Sequence, residues 1–224
     1  MKLKLSVCGL MLGAALYSVM AGEVTLDASR DNFGRSNQRN NNSGANEYLA
    51  IANSPNIRSI IAFDLSGITN EVTAAEFQFR QHNSVDVPVT LVVAPMAHTK
   101  NNASWKEGSG ALGVRGQNAG LGEATLCWSA FRDIPWESAN EGALQSLLDS
   151  GLWKTPTAQL ANLQWLESNW IKVPVTDCSM LEKIRKSDAK FITFGLWGVS
   201  GKGTYLISSK ESGNAPQLVL TLKD

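Results

Sequence analysis

Arg58-Ser59-Ile60-Ile61-Ala62-Phe63-Asp64-Leu65 and Ala75-Glu76-Phe77-Gln78-Phe79-Arg80 decide the fold. In the first stretch Ser59, Ile61, Phe63 and Leu65 alternate with Arg58, Ile60, Ala62 and Asp64. In the second Ala75, Phe77 and Phe79 alternate with Glu76, Gln78 and Arg80. Successive side chains of a strand point to opposite faces, so this alternation predicts half-buried β-strands. Val85, Val87, Val89, Leu91 and Val93 repeat the pattern. Further strands are expected at residues 24–28, 170–175, 191–199, 204–208 and 217–222, each bounded by Gly, Pro, Asn or Ser. Short strands with turn signals between them define an all-β sandwich or barrel.

Residues 97–169 interrupt this rhythm. They include a Gly-rich stretch at 108–122 that is too flexible for regular structure. A short helix is predicted over residues 139–152: Ser138 and Glu141 have capping-box spacing, and Leu144, Leu147, Leu148 and Leu152 share one face. A second helical turn is predicted after Asp177, with Leu181 and Ile184 facing inward. Both helices are accessories to the sheets. Residues 32–46 form a polar, Asn-rich loop without periodicity.

At the other end of the chain, Lys2 and Lys4 precede an apolar run from Leu5 to about Val19, followed by the small residues Ala21 and Gly22. That order is the secretory signal pattern, and the run is shorter than the roughly 20 apolar residues of a spanning helix. Residues 1–21 are therefore expected to be a signal peptide. Residues 22–224 are expected to form one domain, secreted to the periplasm, cell surface or extracellular space, without membrane insertion. Without the two leader lysines the chain is slightly acidic, which excludes the phosphate-neutralising chemistry of nucleic-acid binding. Two cysteines remain, Cys127 and Cys178. An even pair in an oxidising compartment predicts a disulfide; the alternative is two buried free thiols.

Several short motifs occur in order. A first strand ends in Asp27-Ala28, an Asn/Gly-rich loop follows, and a strand closes with Phe63-Asp64-Leu65-Ser66-Gly67-Ile68. Val72 and Ala74 come next, then Trp105, Glu107 and Gly108, then Trp128. Trp170-Ile171-Lys172-Val173-Pro174-Val175-Thr176 forms a late strand, and the chain closes with Ser209-Lys210-Glu211, Ala215-Pro216 and Leu218. This series resembles the DNRLRE, or disaggregatase-related, domain of extracellular bacterial and archaeal proteins. Pro174 stands where the family has Asp, and residues 108–169 are longer than typical. The resemblance implies a jelly-roll sandwich. Some relatives are alginate-binding modules attached to polysaccharide lyases, and others belong to surface or cell-wall proteins.

The chemistry-bearing residues point away from catalysis. His82 and His98 are the only histidines and lack zinc-ligand spacing. No G-x-S-x-G elbow supports a Ser–His–Asp triad. Glu107 and Glu211 sit beside Gly or Ser in turns, where a carboxylate accepts backbone N–H bonds or meets an arginine. Asp64 before Ser66-Gly67 reads as a turn former. Asp27, Asp31 and the Asn-rich loop offer oxygen ligands for a structural Ca²⁺, although no D-x-D-x-D-G loop exists. No other cofactor is indicated.

All seven tryptophans fall between residues 105 and 197, an excess that suits either a core or a sugar-stacking platform. Trp105, Trp128 and Trp170 are assigned to the core, and Trp136, Trp153 and Trp165 anchor the long insertion. Trp197, beside Gly198, is the candidate for an exposed platform. An acidic polymer needs cations, so Arg58 and Arg80, pointing outward, are paired with Trp197 as the ligand-binding set. Arg30, Lys202 and Tyr205 join them. The expected function is non-catalytic binding of an acidic polysaccharide such as alginate. The rival readings are a structural or adhesive protein with surface or matrix partners, and a small polysaccharide lyase using Tyr205.

Overall fold

The computed structural model describes residues 22–53, 56–82, 89–111, 113–137, 144–154, 156–163, 170–201 and 203–224. The expected leader, Val85, Val87, Ser138, Glu141, Trp165 and Lys202 lie outside these residues. Strands β1 (Gly22–Asp27), β2 (Arg30–Arg35), β3 (Asn41–Asn42), β4 (Tyr48–Ile51), β5 (Ile57–Asp64), β6 (Val72–Arg80) and β7 (Val89–Pro95) come first. Helix α1 (Lys100–Ala103) opens an insertion carrying β8 (Gln117–Asn118), β9 (Trp128–Ala130), β10 (Ile134–Glu137) and β11 (Leu144–Gln145). β12 (Ala158–Leu163) and β13 (Trp170–Pro174) lead to helix α2 (Cys178–Arg185), followed by β14 (Phe191–Ser200), β15 (Tyr205–Ser208) and β16 (Gln217–Leu222).

Two antiparallel sheets form the predicted all-β sandwich. One has the order β1-β16-β6-β13 and the other β12-β7-β14-β5-β2. The period-two residues meet between them: Phe77 and Phe79 from the first sheet face Phe63 and Phe194 from the second. Phe77 stacks on Phe194 with centroids 5.2 Å apart and meets Phe63 edge-on at 5.8 Å. Such offset and edge geometries suit the ring quadrupole. The β4–β15 pair adds Leu49, Ile51, Tyr205 and Ile207 to the same core. Asp64 forms the predicted turn, its Oδ1 accepting the Ser66 N–H at 2.8 Å. Helix α2 forms where predicted, capped by Asp177, with Leu181 and Ile184 buried.

The five-stranded sheet is covered on its outer face as well. Ile60 and Ala62, the outward residues of β5, pack under Trp105, Leu126, Trp136, Leu147 and Leu152 of the insertion. This explains why β5 reads apolar on both faces. The buried indoles keep partners: Trp105 Nε1 donates to Thr193 Oγ1 at 3.1 Å and Trp136 Nε1 to the Thr125 carbonyl at 2.9 Å.

The Asn-rich segment ties this layer down instead of looping through solvent. Asn32 and Asn42 are fully buried, and both donate to the Ala124 carbonyl, at 2.9 and 2.7 Å. Asn32 Oδ1 accepts the Ser43 N–H, and Asn42 Oδ1 accepts those of Gly44 and Gly110. A Cβ on Gly110 would sit 2.1 Å from the Asn42 carbonyl oxygen. The glycine there is a condition of close approach, not of flexibility.

Two expectations are corrected. Among the described residues, the helix predicted over 139–152 is replaced by β11, a turn and a 3-10 turn at Ser150–Leu152. Leu147 and Leu152 are buried all the same, because a short apolar run satisfies the same core from several backbones. The disulfide is absent: Cys127 and Cys178 are both free. Cys127 packs against the insertion's cluster on the outer face of the five-stranded sheet, whereas Cys178 opens α2 against the inner core, its thiol facing the Val175 carbonyl. Burial raises both thiols above their ordinary pKa. Protein lacking residues 1–21 should therefore alkylate slowly when native at neutral pH, and should gain two alkyl groups by mass when denatured without reduction. A denatured chain that gains none would restore the disulfide.

Candidate functional site

Arg58 and Trp197 are cross-strand partners on β5 and β14, on the outer face of the five-stranded sheet. The Arg58 guanidinium lies 4.7 Å from the Trp197 ring centroid, and Trp153 stands against Trp197 with centroids 5.2 Å apart, tilted by 40°. All three residues are half-buried. Two contacts fix Trp153: its Nε1 donates to the Leu147 carbonyl at 3.1 Å, and its ring lies on Gly195, where a Cβ would come within 2.2 Å of it. Val199, at the register shift of β14 beside Gly198, is 42 % exposed.

Burial pulls the Arg58 guanidinium down to about 10, opposed by attraction to Asp149, so it remains charged at neutral pH. Its Nε is buried and has no hydrogen-bond partner among the described residues. The set therefore combines aromatic faces with a fixed guanidinium fork. Such a group can stack on the C–H face of a sugar ring and offer donors to a carboxylate.

The remaining predicted ligand residues do not assemble here. Arg80 lies on the outer face of the four-stranded sheet, opposite Trp170, and donates to Asn214 Oδ1 at 2.9 Å. Alternation along β6 gave its direction, but the strand belongs to the other sheet. Arg30 shares the outer face with Arg58 but lies under the insertion. Its guanidinium sits 3.9 Å from the Phe191 centroid and 5.1 Å from that of Trp105, and it donates to the carbonyls of Ala103 and Trp105. Tyr205 has no exposed surface, because it points inward on β15 with Ile207, and burial pushes its hydroxyl to about 12. Lys202 is outside the described residues. Of the tryptophans assigned to the core, Trp105 is fully buried while Trp128 and Trp170 are only half-buried; Trp136, assigned to the insertion, is fully buried as well.

A second cluster joins residues 179 positions apart, which sequence spacing cannot reveal. Carboxylate oxygens of Asp31, Glu107 and Glu211 lie within 4.8 Å of one another. Lys210 Nζ is 2.8 Å from Glu107 Oε2 and also pairs with Glu211, while the Lys210 N–H donates to Asp31 Oδ2 at 2.7 Å. Glu107 Oε1 accepts the Asp31 N–H at 2.7 Å. The turn role read for Glu107 thus holds, with lysine in place of arginine. Of the oxygens offered for calcium, those of Asn32 and Asn42 are taken by backbone N–H groups, and Asp27 bonds Gln217. Only Asp31 belongs to the carboxylate group, where the ammonium of Lys210 supplies positive charge.

Burial, reinforced by Glu211 and Glu107, holds Asp31 well above the usual carboxylate range despite its bond from Lys210. Burial raises Glu107 too, against its bonds from Lys210 and Asp31. For Lys210 burial acts downward, but hydrogen bonds to Glu107 and Glu211 win and keep it above its ordinary value. The cluster is a place for a proton and an ammonium within the fold.

The molecule is thus an all-β sandwich with an arginine–tryptophan platform on one sheet. No protein-family model matches the sequence, and a search of curated proteins finds no similar chain. No helix among the described residues is long and apolar enough to cross a membrane.

Proposed function

We propose that this protein is an exported, non-catalytic binder of an acidic polysaccharide such as alginate. The observation that carries this reading is the half-exposed Trp153–Trp197 pair with Arg58 stacked upon it. The resemblance of its motifs to DNRLRE domains and the leader-like pattern of residues 1–21 support the same reading. Glu107 and Glu211 share one lysine, whereas the two carboxylates of a glycosidase stand on either side of the bond to be cleaved. Tyr205, the lyase candidate, is sealed in the core.

One observation favours the structural or adhesive alternative. Leu121, on a turn of the insertion, is 82 % exposed and suits a protein partner.

Affinity electrophoresis and titration against a uronate polymer and a neutral polymer of the same linkage test the proposal. Binding of the acidic polymer is expected at micromolar affinity or weaker, falling with salt. The double substitution R58A/W197A should weaken it about tenfold, roughly 1.4 kcal/mol. Unchanged binding in that variant moves the site elsewhere. Wild-type protein that binds no polysaccharide favours the adhesive alternative.

A further inference from the structure

A cavity of about 740 Å³ opens where the end of β7 and the approach to β12 meet helix α2. Its size lies in the range of small-molecule sites, about 300–1,000 Å³. Pro95, Val175, Met180 and Ile184 supply its apolar lining. Hydroxyls of Thr99, Thr157, Thr176 and Ser179 line it at intervals. Lys154 and Lys183 complete the rim; both are exposed, and neither makes an ion pair with a described residue.

The one acid in the lining is already engaged. Asp177 Oδ1 accepts the N–H of Ser179 at 3.1 Å and its hydroxyl at 2.5 Å as the cap of α2. Lys183 helps to hold that carboxylate in its charged form, and Lys154 faces no acid of the lining. His98, with Nε2 3.3 Å from Ser187 Oγ, is half-buried, and burial lowers its pKa, so at neutral pH it serves as an uncharged hydrogen-bonding group. The cavity lining therefore combines two exposed lysines, several hydroxyls and apolar side chains.

We infer that this cavity is a second subsite, which takes the end of an acidic oligosaccharide by placing a sugar carboxylate between Lys154 and Lys183. The ring's C–H face rests on Met180 and Val175, and its hydroxyls meet Thr99, Thr157 and Ser179. The inference rests on the polysaccharide reading and adds to it a site for chain ends, apart from the platform. Pro95 and Ala97 line this cavity, one residue out of phase with Met96 in the insertion's cluster. Arg58 and Trp197 of the platform stand on β5 and β14, so the two sites share no residue.

Calorimetric titration of the protein with a 1,4-linked uronate trimer, and with the neutral hexose trimer of the same linkage, tests this. The charged trimer should bind and the neutral one should bind at least about tenfold more weakly. K154A/K183A should lose about tenfold in trimer affinity with an unchanged thermal midpoint, because both side chains are exposed. K154R/K183R should retain most of the affinity. Trimer affinity unchanged in K154A/K183A overturns the subsite. Wild-type protein that binds the polymer but not the trimer also overturns the subsite and leaves the platform standing. Binding of neither removes the polysaccharide reading itself.

Discussion

Replacing Phe77 with alanine is expected to lower the unfolding free energy by about 3–5 kcal/mol, the usual cost of emptying a buried aromatic site. Phe77 is fully buried and touches three rings: Phe63, Phe79 and Phe194. Two of these lie on the opposite sheet, so the deletion removes the contact that joins the layers. Its strand is held on both sides, by β13 and β16, and cannot shift inward to fill the space. Chemical denaturation of Phe77→Ala and Phe77→Leu measures this. Leucine should recover part of the loss, and an alanine variant within about 1 kcal/mol of wild type would mean the sheets are not packed through this ring.

Asp31→Asn is expected to stabilise the protein at pH 7–8 by about 1–3 kcal/mol, the scale of a buried polar group left unsatisfied. Asp31 has no exposed surface, and its Oδ1 has no hydrogen-bond partner among the described residues. Burial and the neighbouring Glu107 and Glu211 raise its pKa in the folded protein. The unfolded chain releases that proton above about pH 4, whereas the folded chain holds it to higher pH. The contribution is thus fully present below about pH 4 and is lost as pH rises towards the raised folded value. Asparagine keeps an acceptor for the Lys210 N–H, places an amide donor where the orphan oxygen was, and does not titrate. Thermal midpoints from pH 4 to 8 should fall in wild type and flatten in the variant. An asparagine variant less stable than wild type at pH 8 would show that Asp31 is ionised and held by Lys210.

The strands were readable from their alternation. β6 lies where period two places it, and β14 and β16 lie where their bounding turn residues place them. β2 and β4 were hidden: their residues are small, polar or mixed, and their stability comes from pairing with β5 and β15. The platform was half legible. Alternation gives the side of a strand on which Arg58 or Arg80 emerges, but not the sheet that the strand joins. Tyr205 shows the same limit in reverse, since its hydroxyl suggested a surface that its place on β15 denies. The carboxylate cluster depended on contacts between Asp31, Glu107 and Lys210 that no local pattern encodes. Glu107 and Lys210-Glu211 nonetheless stood out as motif positions.

The covering of the five-stranded sheet has a consequence for how such a scaffold acquires specificity. Most of that sheet's outer face is roofed by the insertion, and Arg58 and Trp197 are reachable only at its margin. The insertion therefore acts as a stencil: its length and its anchor, Trp153 on Gly195, decide which cross-strand pairs meet solvent. Trimming or extending that roof redraws the aperture while every ladder beneath it keeps its register.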